Sequence, residues 1–191
     1  MLTKILDIDS RWLLAINNFA NSNNTWQAVF KFFSVYLIYI VPVFLIVLWF
    51  WSAQSKKAAL RSTFAGLISW LVVANLLGRI INRPRPFQIE GVKELLFHRP
   101  TYSFPSDHAA FLFAIAFSFY LSGYKRLSYF TLATAVLISL ARLGVGFHFP
   151  LDLLGGIIIG LLVAWLVWLF DRPLNYIYNF LIAIAKKLRL A

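Results

Sequence analysis

The sequence predicts an all-α integral membrane protein: a helical bundle of five or six transmembrane helices with an interfacial N-terminal helix. Three observations lead to this prediction. Of the 191 residues, 61% are hydrophobic, only 13% are charged, and much of the basic charge lies in short connections between long apolar stretches. A soluble domain of this size needs a more polar surface. The seven Trp, eight Tyr and nineteen Phe residues also suit the aromatic belts of membrane interfaces.

The chain is predicted to form a single membrane domain with three parts. Residues 1–27 mix apolar side chains with charged and amide ones, which favours a helix lying flat at the interface. The Asn-Ser-Asn-Asn run at 21–24 is typical of a turn. Residues 28–171 are the transmembrane core, and residues 172–191 are a basic C-terminal tail.

Uncharged stretches locate the spans, because a membrane helix needs about 20 apolar residues. The five stretches are residues 32–55, 62–78, 109–124, 127–141 and 153–170. The middle three are short unless their ends are counted. Those ends carry Arg79, His108 and Arg142, and such placement marks functional candidates. Residues 174–185 are too few to cross a membrane before Lys186, so an interfacial helix is favoured there over a sixth span.

The basic connections predict the orientation of the protein. With five spans, three groups of basic residues lie on one face of the membrane, and by the positive-inside rule that face should be cytoplasmic. The groups are Lys56, Lys57 and Arg61; Lys125 and Arg126; and Lys186, Lys187 and Arg189. The N-terminus and the connections 82–105 and 143–151 then share the opposite face. The net charge of +11 follows this pattern, so anionic membrane lipids are the expected partners and nucleic acid is not.

The residues that can support chemistry form three clusters, all on that opposite face. They are RIINRPRPF at 79–87, SFPSDH at 103–108 and ARLGVGFHFPLD at 141–152. Histidine can act as nucleophile or general acid near neutral pH, which makes His108 and His148 candidates. Asp152 follows His148 by four residues, about one helical turn, and a carboxylate so placed can hold the imidazole tautomer.

The remaining polar groups of these clusters suit an anion. Arg85 and Arg142 offer planar, permanently charged forks that match phosphate oxygens. Ser106 precedes the third span, where its hydroxyl and the free N–H groups of the helix start form an anion site. This set of groups suits phosphoryl transfer to an enzyme histidine, with fixed donors neutralising the phosphoryl oxygens.

The three clusters resemble the motifs of the type 2 phosphatidic acid phosphatase superfamily, which includes vanadium haloperoxidases and bacterial acid phosphatases. Its third motif, Ser-Arg-x5-His-x3-Asp, is matched by Arg142, His148 and Asp152, with Ala141 in the place of Ser. Its Pro-Ser-Gly-His motif is matched at 105–108, except that Asp107 replaces Gly.

The first motif, Lys-x6-Arg-Pro, is matched only in part. Arg85 and Pro86 are in register, but Gly78 stands where the family has Lys. Arg79 and Arg83 are therefore the candidates for the lysine's phosphate contact.

The strings SFPSDH and GFHFPLD, with RPRPF upstream, resemble the bacterial undecaprenyl pyrophosphate phosphatases of this superfamily. The resemblance implies hydrolysis of undecaprenyl pyrophosphate to undecaprenyl phosphate, which recycles the carrier lipid for cell-wall synthesis. It implies no metal cofactor, and an active site facing the periplasm or exterior. It makes His148 the nucleophile, His108 the general acid and Asp152 the carboxylate that orients His148. The predicted phosphate-binding residues are Arg85, Arg142, Ser106, Arg79, Arg83 and Asp107.

Several alternatives stay open at this point. Asp107 either caps the third span or tunes His108. His98 is interpreted as a surface loop residue, and the glycines at 155, 156 and 160 as helix packing. The substrate can be another lipid phosphate, such as phosphatidylglycerophosphate, phosphatidic acid or the lipid A 1-phosphate. A transporter or an inactive lipid-binding relative fits less well, since the spans are almost uncharged and both histidines are in place.

Overall fold

The computed structural model describes residues 2–97 and 101–190, and this part of the chain folds into α-helices joined by short connections, except for the long segment between α5 and α6. The helices are α1 (Leu2–Ala20), α2 (Asn24–Val35), α3 (Ile40–Trp51), α4 (Ala53–Leu67), α5 (Asn75–Ile81), α6 (Asp107–Leu121), α7 (Lys125–Gly144), α8 (Pro150–Leu169) and α9 (Asp171–Lys187). One 3₁₀ turn joins α2 to α3, and a π-helical segment, Ile68–Ala74, joins α4 to α5. The predicted all-α membrane fold is confirmed.

Four helical segments are long and apolar enough to cross a membrane: Asn24–Trp51, Ala53–Gln88, Lys125–Gly144 and Pro150–Leu169. The first begins earlier than predicted. Asn23 caps α2 by accepting a hydrogen bond from the Trp26 N–H, so residues 24–27 belong to this helix and not to the interfacial segment. The charge of Lys31, taken as the boundary in the sequence, is tolerated because a lysine stem can carry its ammonium to the interface.

Helix α6 is the centre of the bundle. It packs against α4, α7 and α8, and most of its residues are buried. At 15 residues it is shorter than each of the four segments above. Neighbouring helices cover it on several sides. Its residues Ala109, Ala110 and Ala114 let the glycines of α8 approach closely, so this helix pair holds the first turn of α6, which carries His108, near the loop that carries His148.

The amphipathic helix α1 lies across the end of the bundle that carries the three motif clusters. The side chain of Asn17 donates to the carbonyls of Lys93 and Gly144 and accepts from the Lys93 N–H, all at 2.8–2.9 Å. The N-terminus and the connections 82–105 and 143–151 therefore share one end of the bundle, as the sequence predicted.

The opposite end is joined by a second polar network. Arg61 of α4 pairs with Asp171 at 2.6 Å and donates to Ser122 at 2.7 Å, which ties the start of α9 to α4 and α6. Tyr178 of α9 is fully buried, with its ring edge-on to Phe64. Helix α9 is not among the four segments long and apolar enough to cross a membrane.

Candidate active site

Backbone hydrogen bonds join the three motif clusters. The Ser103 N–H donates to the carbonyl of Arg83 at 2.8 Å, and the Ser106 N–H donates to the carbonyl of Asp152 at 2.9 Å. The guanidinium of Arg85 donates to the Phe147 carbonyl at 3.0 Å. Segments that are far apart in sequence are thereby held in contact at one end of α6.

His148 lies at the centre of this arrangement and is 1% exposed. Its Nδ1 is 2.9 Å from the carbonyl of Ser103, and because a carbonyl can only accept, Nδ1 carries the proton. The lone pair is then on Nε2, which has no hydrogen-bond partner among the described residues. Burial lowers the pKa of His148 to about 4, so the imidazole is neutral near pH 7. A neutral imidazole with one free nitrogen is the form that a nucleophile requires.

Asp152 has two functions in the structure. Its Oδ2 accepts the Phe149 N–H at 2.7 Å, which caps the first turn of α8. The same oxygen is 3.8 Å from His148 Nδ1, which is too long for a hydrogen bond but close enough to stabilise an imidazolium. The sequence predicted that Asp152 itself holds the tautomer. The structure gives that hydrogen bond to the Ser103 carbonyl and leaves Asp152 as the neighbouring charge.

His108 and Asp107 form a pair at the start of α6. Oδ1 of Asp107 is 2.9 Å from His108 Nδ1 and accepts the His108 N–H at 2.8 Å. The cap of α6 is Ser106, whose hydroxyl accepts the Ala109 N–H at 3.4 Å. Of the two roles considered for Asp107, the contact with the His108 ring is therefore the one that its geometry supports. The same Oδ1 is 3.8 Å from His148 Nε2.

Two buried arginines flank the histidines. Arg85 is 4% exposed and donates from Nε to the Thr101 hydroxyl at 3.2 Å. The carboxylates of Asp107 and Asp152 lie near enough to act on its charge. Arg142 is 6% exposed, stacks over the Phe147 ring at 4.8 Å, and has an Nε without a partner in the described part of the chain. An anion bound here would satisfy both guanidinium groups.

The structure separates the two candidates for the missing lysine contact. Arg83 does not face the cavity, because its guanidinium is held at 2.6 Å by Asp9 and at 2.7 Å by Asp152. Arg79 is exposed and donates to Asn75 at 3.0 Å. Asn75 itself lines the cavity described next, so Arg79 is the better placed of the two.

Two adjoining cavities open at the start of α6, beside Asp107. One, of about 180 Å³, is lined by Trp70, Ala74, Asn75, Arg85, Thr101, Tyr102, Pro105 and Asp107. The other, of about 90 Å³, is lined by Ile38, Trp70, Asp107, His108 and Phe111. Trp70 and Asp107 belong to both walls. A polar chamber thus adjoins a mostly apolar one, a shape that suits a charged head group with an apolar tail.

Several groups of the site could not be identified from the sequence. The Ser103 carbonyl is a backbone atom, and any residue could supply it. Trp70 looks like an interface anchor, but it lies on the π-helical segment, a distortion that is frequent at functional sites. Asp9 belongs to a helix that was interpreted only as interfacial. Among the described residues, no group of three or more His, Asp or Glu side chains could hold a metal ion. His98 lies outside the described residues.

Comparison with known proteins places this arrangement in a family. Residues 58–176 match the PAP2 superfamily model, and this match covers all three motif clusters. Undecaprenyl-diphosphatase BcrC of Bacillus subtilis (strain 168) is 28% identical over 162 residues, which is 84% of this chain and 83% of that protein. Phosphatidylglycerophosphatase B of the same organism is 34% identical over 128 residues, covering 60% of this chain and 62% of that protein.

A solved structure agrees at the level of the fold. The crystal structure of Aquifex aeolicus LpxE superposes with a TM-score of 0.65 at 25% identity, covering 82% of this chain and 92% of that one. The family match spans more than half of the chain and includes both histidine motifs, and four segments are able to cross a membrane. The chain is therefore a membrane protein of the PAP2 superfamily.

Proposed function

We propose that the protein hydrolyses undecaprenyl pyrophosphate to undecaprenyl phosphate and inorganic phosphate, through a phosphohistidine on His148. The observation that carries the proposal is the state of His148. Its Nδ1 proton is held by the Ser103 carbonyl, its Nε2 has no hydrogen-bond partner among the described residues, and the charges of the buried Arg85 and Arg142 act on its ring. The name of the Bacillus subtilis relative, an undecaprenyl-diphosphatase, supports the choice of substrate.

The first step forms the phosphohistidine. Nε2 of His148 attacks the terminal phosphorus, and the bond from that phosphorus to the bridging oxygen breaks. The guanidinium groups of Arg85 and Arg142, with Ser106 and the N–H groups at the start of α6, neutralise the equatorial oxygens. His108 protonates the bridging oxygen, which leaves on undecaprenyl phosphate. Asp107 keeps the His108 ring in place through their 2.9 Å contact.

The second step returns the enzyme to its starting state. Now neutral, His108 takes a proton from water, and the hydroxide attacks the phosphorus and breaks the bond to Nε2. Inorganic phosphate leaves and the proton stays on His108. Asp152, 3.8 Å from Nδ1, stabilises the positive charge that His148 carries while phosphorylated.

The adjoining cavities support a lipid substrate. The head group fits the polar cavity beside Arg85, and the first part of the tail fits the apolar one between Trp70 and Phe111. Many large apolar side chains face outward from the bundle, so the remainder of the tail can lie along the protein in the membrane. The positive-inside pattern supports a site on the periplasmic or exterior side of the plasma membrane, where carrier lipid is released during cell-wall synthesis.

Phosphate release from undecaprenyl pyrophosphate by purified protein in detergent tests the proposal. We expect His148→Ala to lower the rate by several orders of magnitude, because the covalent route is lost. His98→Ala is the matched control for loss of a histidine and should keep the wild-type rate. A His148→Ala variant with near wild-type activity would exclude the mechanism. Added chelator should leave the rate unchanged, and loss of activity would show a metal requirement.

A substrate panel tests the choice of lipid. Phosphatidylglycerophosphate is the specific rival, because one relative is named a phosphatidylglycerophosphatase. Phosphatidic acid and lipid A 1-phosphate complete the panel. The proposal requires undecaprenyl pyrophosphate to have the highest kcat/KM. Much faster turnover of a glycerophospholipid phosphate would assign the protein to that substrate and leave the histidine chemistry intact.

A further inference from the structure

Helix α1 turns one carboxylate inward, toward the catalytic end of the bundle. Asp9 is only 3% exposed, although the helix is amphipathic and its neighbouring charges face outward. Asp7 and Arg11, by contrast, pair with each other at the surface, with side chains 69% and 76% exposed. A buried carboxylate is costly unless its charge is compensated, so the contacts of Asp9 identify what it does.

Each oxygen of Asp9 has a partner near the active site. Oδ1 accepts the backbone N–H of Leu151 at 2.8 Å, next to Asp152. Oδ2 accepts from Nη2 of Arg83 at 2.6 Å. The other terminal nitrogen of Arg83 donates to Asp152 at 2.7 Å, and the guanidinium carbon lies 3.8 Å from the centre of the Phe149 ring.

These contacts form a continuous series of charges that ends at the nucleophile. It runs from Asp9 through Arg83 to Asp152, and from Asp152 over 3.8 Å to His148. The fork of Arg83 is planar, so two carboxylates held at its two ends fix each other's positions. Buried ion pairs contribute little net stability and are better explained by the geometry that they impose.

We propose that Asp9 is a positioning residue for the reaction: through Arg83 it fixes the position and charge balance of Asp152 beside His148. The proposal rests on the proposed histidine chemistry, whichever lipid phosphate is the substrate. Asp9 lies outside residues 58–176, which match the family model, and it lines neither cavity beside the histidines. Helix α1 therefore completes the active site as well as lying at the interface.

The test variant is Asp9→Asn. Asparagine keeps the size of the side chain and an oxygen for the Leu151 N–H. Its amide nitrogen replaces the oxygen that accepts from Arg83, so the variant removes both the charge and the acceptor of that contact. We expect kcat to fall about 10- to 100-fold, since displacement of a reacting group by about 1 Å costs up to 10²-fold. KM should stay within about twofold, because Asp9 does not contact the substrate. Asp7→Asn removes a carboxylate from the same helix and should keep both constants.

A double-mutant cycle separates positioning from simple anchoring of α1. When Arg83→Gln is already present, adding Asp9→Asn should lower kcat by less than about twofold, because the effect of Asp9 passes through Arg83. An equal loss in both backgrounds would overturn the proposal. A raised KM in Arg83→Gln would also overturn it, since Arg83 would then contact the phosphate.

The remaining outcomes are also decisive. If Asp9→Asn does not purify as a folded protein, Arg83→Lys replaces it, because one ammonium cannot bridge two carboxylates in a plane. That variant should lose kcat and keep KM, and wild-type kcat would refute the proposal. If the wild type releases no phosphate from any lipid in the panel, the proposed function fails. If the wild type does release phosphate and the kcat of Asp9→Asn equals that of Asp7→Asn, only the proposed role of Asp9 fails.

Discussion

The packing of α8 on α6 leads to a prediction about a glycine that bears no functional group. A Cβ added at Gly156 would lie 2.5 Å from the carbonyl oxygen of Ser106 and 2.8 Å from Cβ of Ala109. Ordinary contact begins at 3.4 Å, so Gly156→Ala requires α6 and α8 to separate by up to about 0.9 Å at this point. The contact is with backbone atoms, which cannot rotate away.

The separation acts directly on the catalytic groups. Ser106 caps α6 one residue before the Asp107–His108 pair, and its N–H is bonded to the carbonyl of Asp152. A shift of Ser106 away from α8 therefore also moves His108 away from His148. A displacement approaching 1 Å costs up to about 10²-fold, so we expect kcat to fall about 10- to 100-fold. Overpacking of this kind destabilises by about 1–3 kcal/mol.

Gly160→Ala is the matched control. Its Cβ would lie 2.6 Å from the Ala110 carbonyl oxygen, a nearly equal overlap at the same interface, but one helical turn further from the histidines. Thermal unfolding in detergent should show a similar loss of stability for both variants. Phosphate release should show the larger loss of kcat for Gly156→Ala. Equal kcat in the two variants, or a Gly156→Ala enzyme within twofold of wild type, would refute the reasoning.

Three further predictions concern the charged groups of the site. Arg142→Lys should lower kcat/KM about 10- to 100-fold, since a charge-assisted hydrogen bond contributes about 1.5–3 kcal/mol and lysine cannot reproduce the fork; a loss below threefold would contradict it. Because burial lowers the pKa of His148 to about 4, protonation should inactivate the nucleophile only near pH 4. On its acidic side, the pH profile of kcat/KM, corrected for substrate ionisation measured by phosphorus NMR, should show no enzyme limb near pH 6.5 from protonation of His148. A fall on the basic side would instead report loss of the proton that His108 donates as general acid. Asp107→Gly should lower kcat, because His108 loses its ring contact, and should also lower KM, because a negative charge near the phosphate is removed; an unchanged kcat would exclude the pairing.

Hydropathy and motif spacing predicted most of the fold and the central site, because both depend on local patterns. Long uncharged stretches specify membrane helices whatever their partners are. Arg142, His148 and Asp152 lie in the last turn of α7, the short connection that follows it and the first turn of α8, so their closeness in sequence keeps them together in space. Boundaries were less predictable, since Lys31 lies inside a helical segment that its charge appeared to end.

The contacts that could not be predicted join elements far apart in the chain. Arg83 was a candidate phosphate ligand because of its position beside Arg85. Its actual partner, Asp9, is 74 residues away, and nothing in either local pattern links them. The acceptor for His148 Nδ1 is likewise a backbone carbonyl 45 residues away. Such contacts depend on how α1 and the 82–105 connection fold over the bundle, and this is a property of tertiary packing.

The site contains buried cations whose hydrogen bonds the described part of the protein does not complete. Arg85 and Arg142 are both nearly buried, Nε of Arg142 has no partner among the described residues, and the lowered pKa of His148 keeps that ring neutral. Burying cations without full pairing costs free energy, and a doubly charged phosphate that binds between them recovers it. The cost is tolerated because rigid contacts elsewhere prevent the arginines from reaching water. These contacts are the close packing of the α8 glycines on the backbone of α6 and the Asp9–Arg83–Asp152 series. The catalytic end is therefore held ready for an anion by parts of the molecule that never touch it, which is why Gly156 and Asp9 are the informative positions to change.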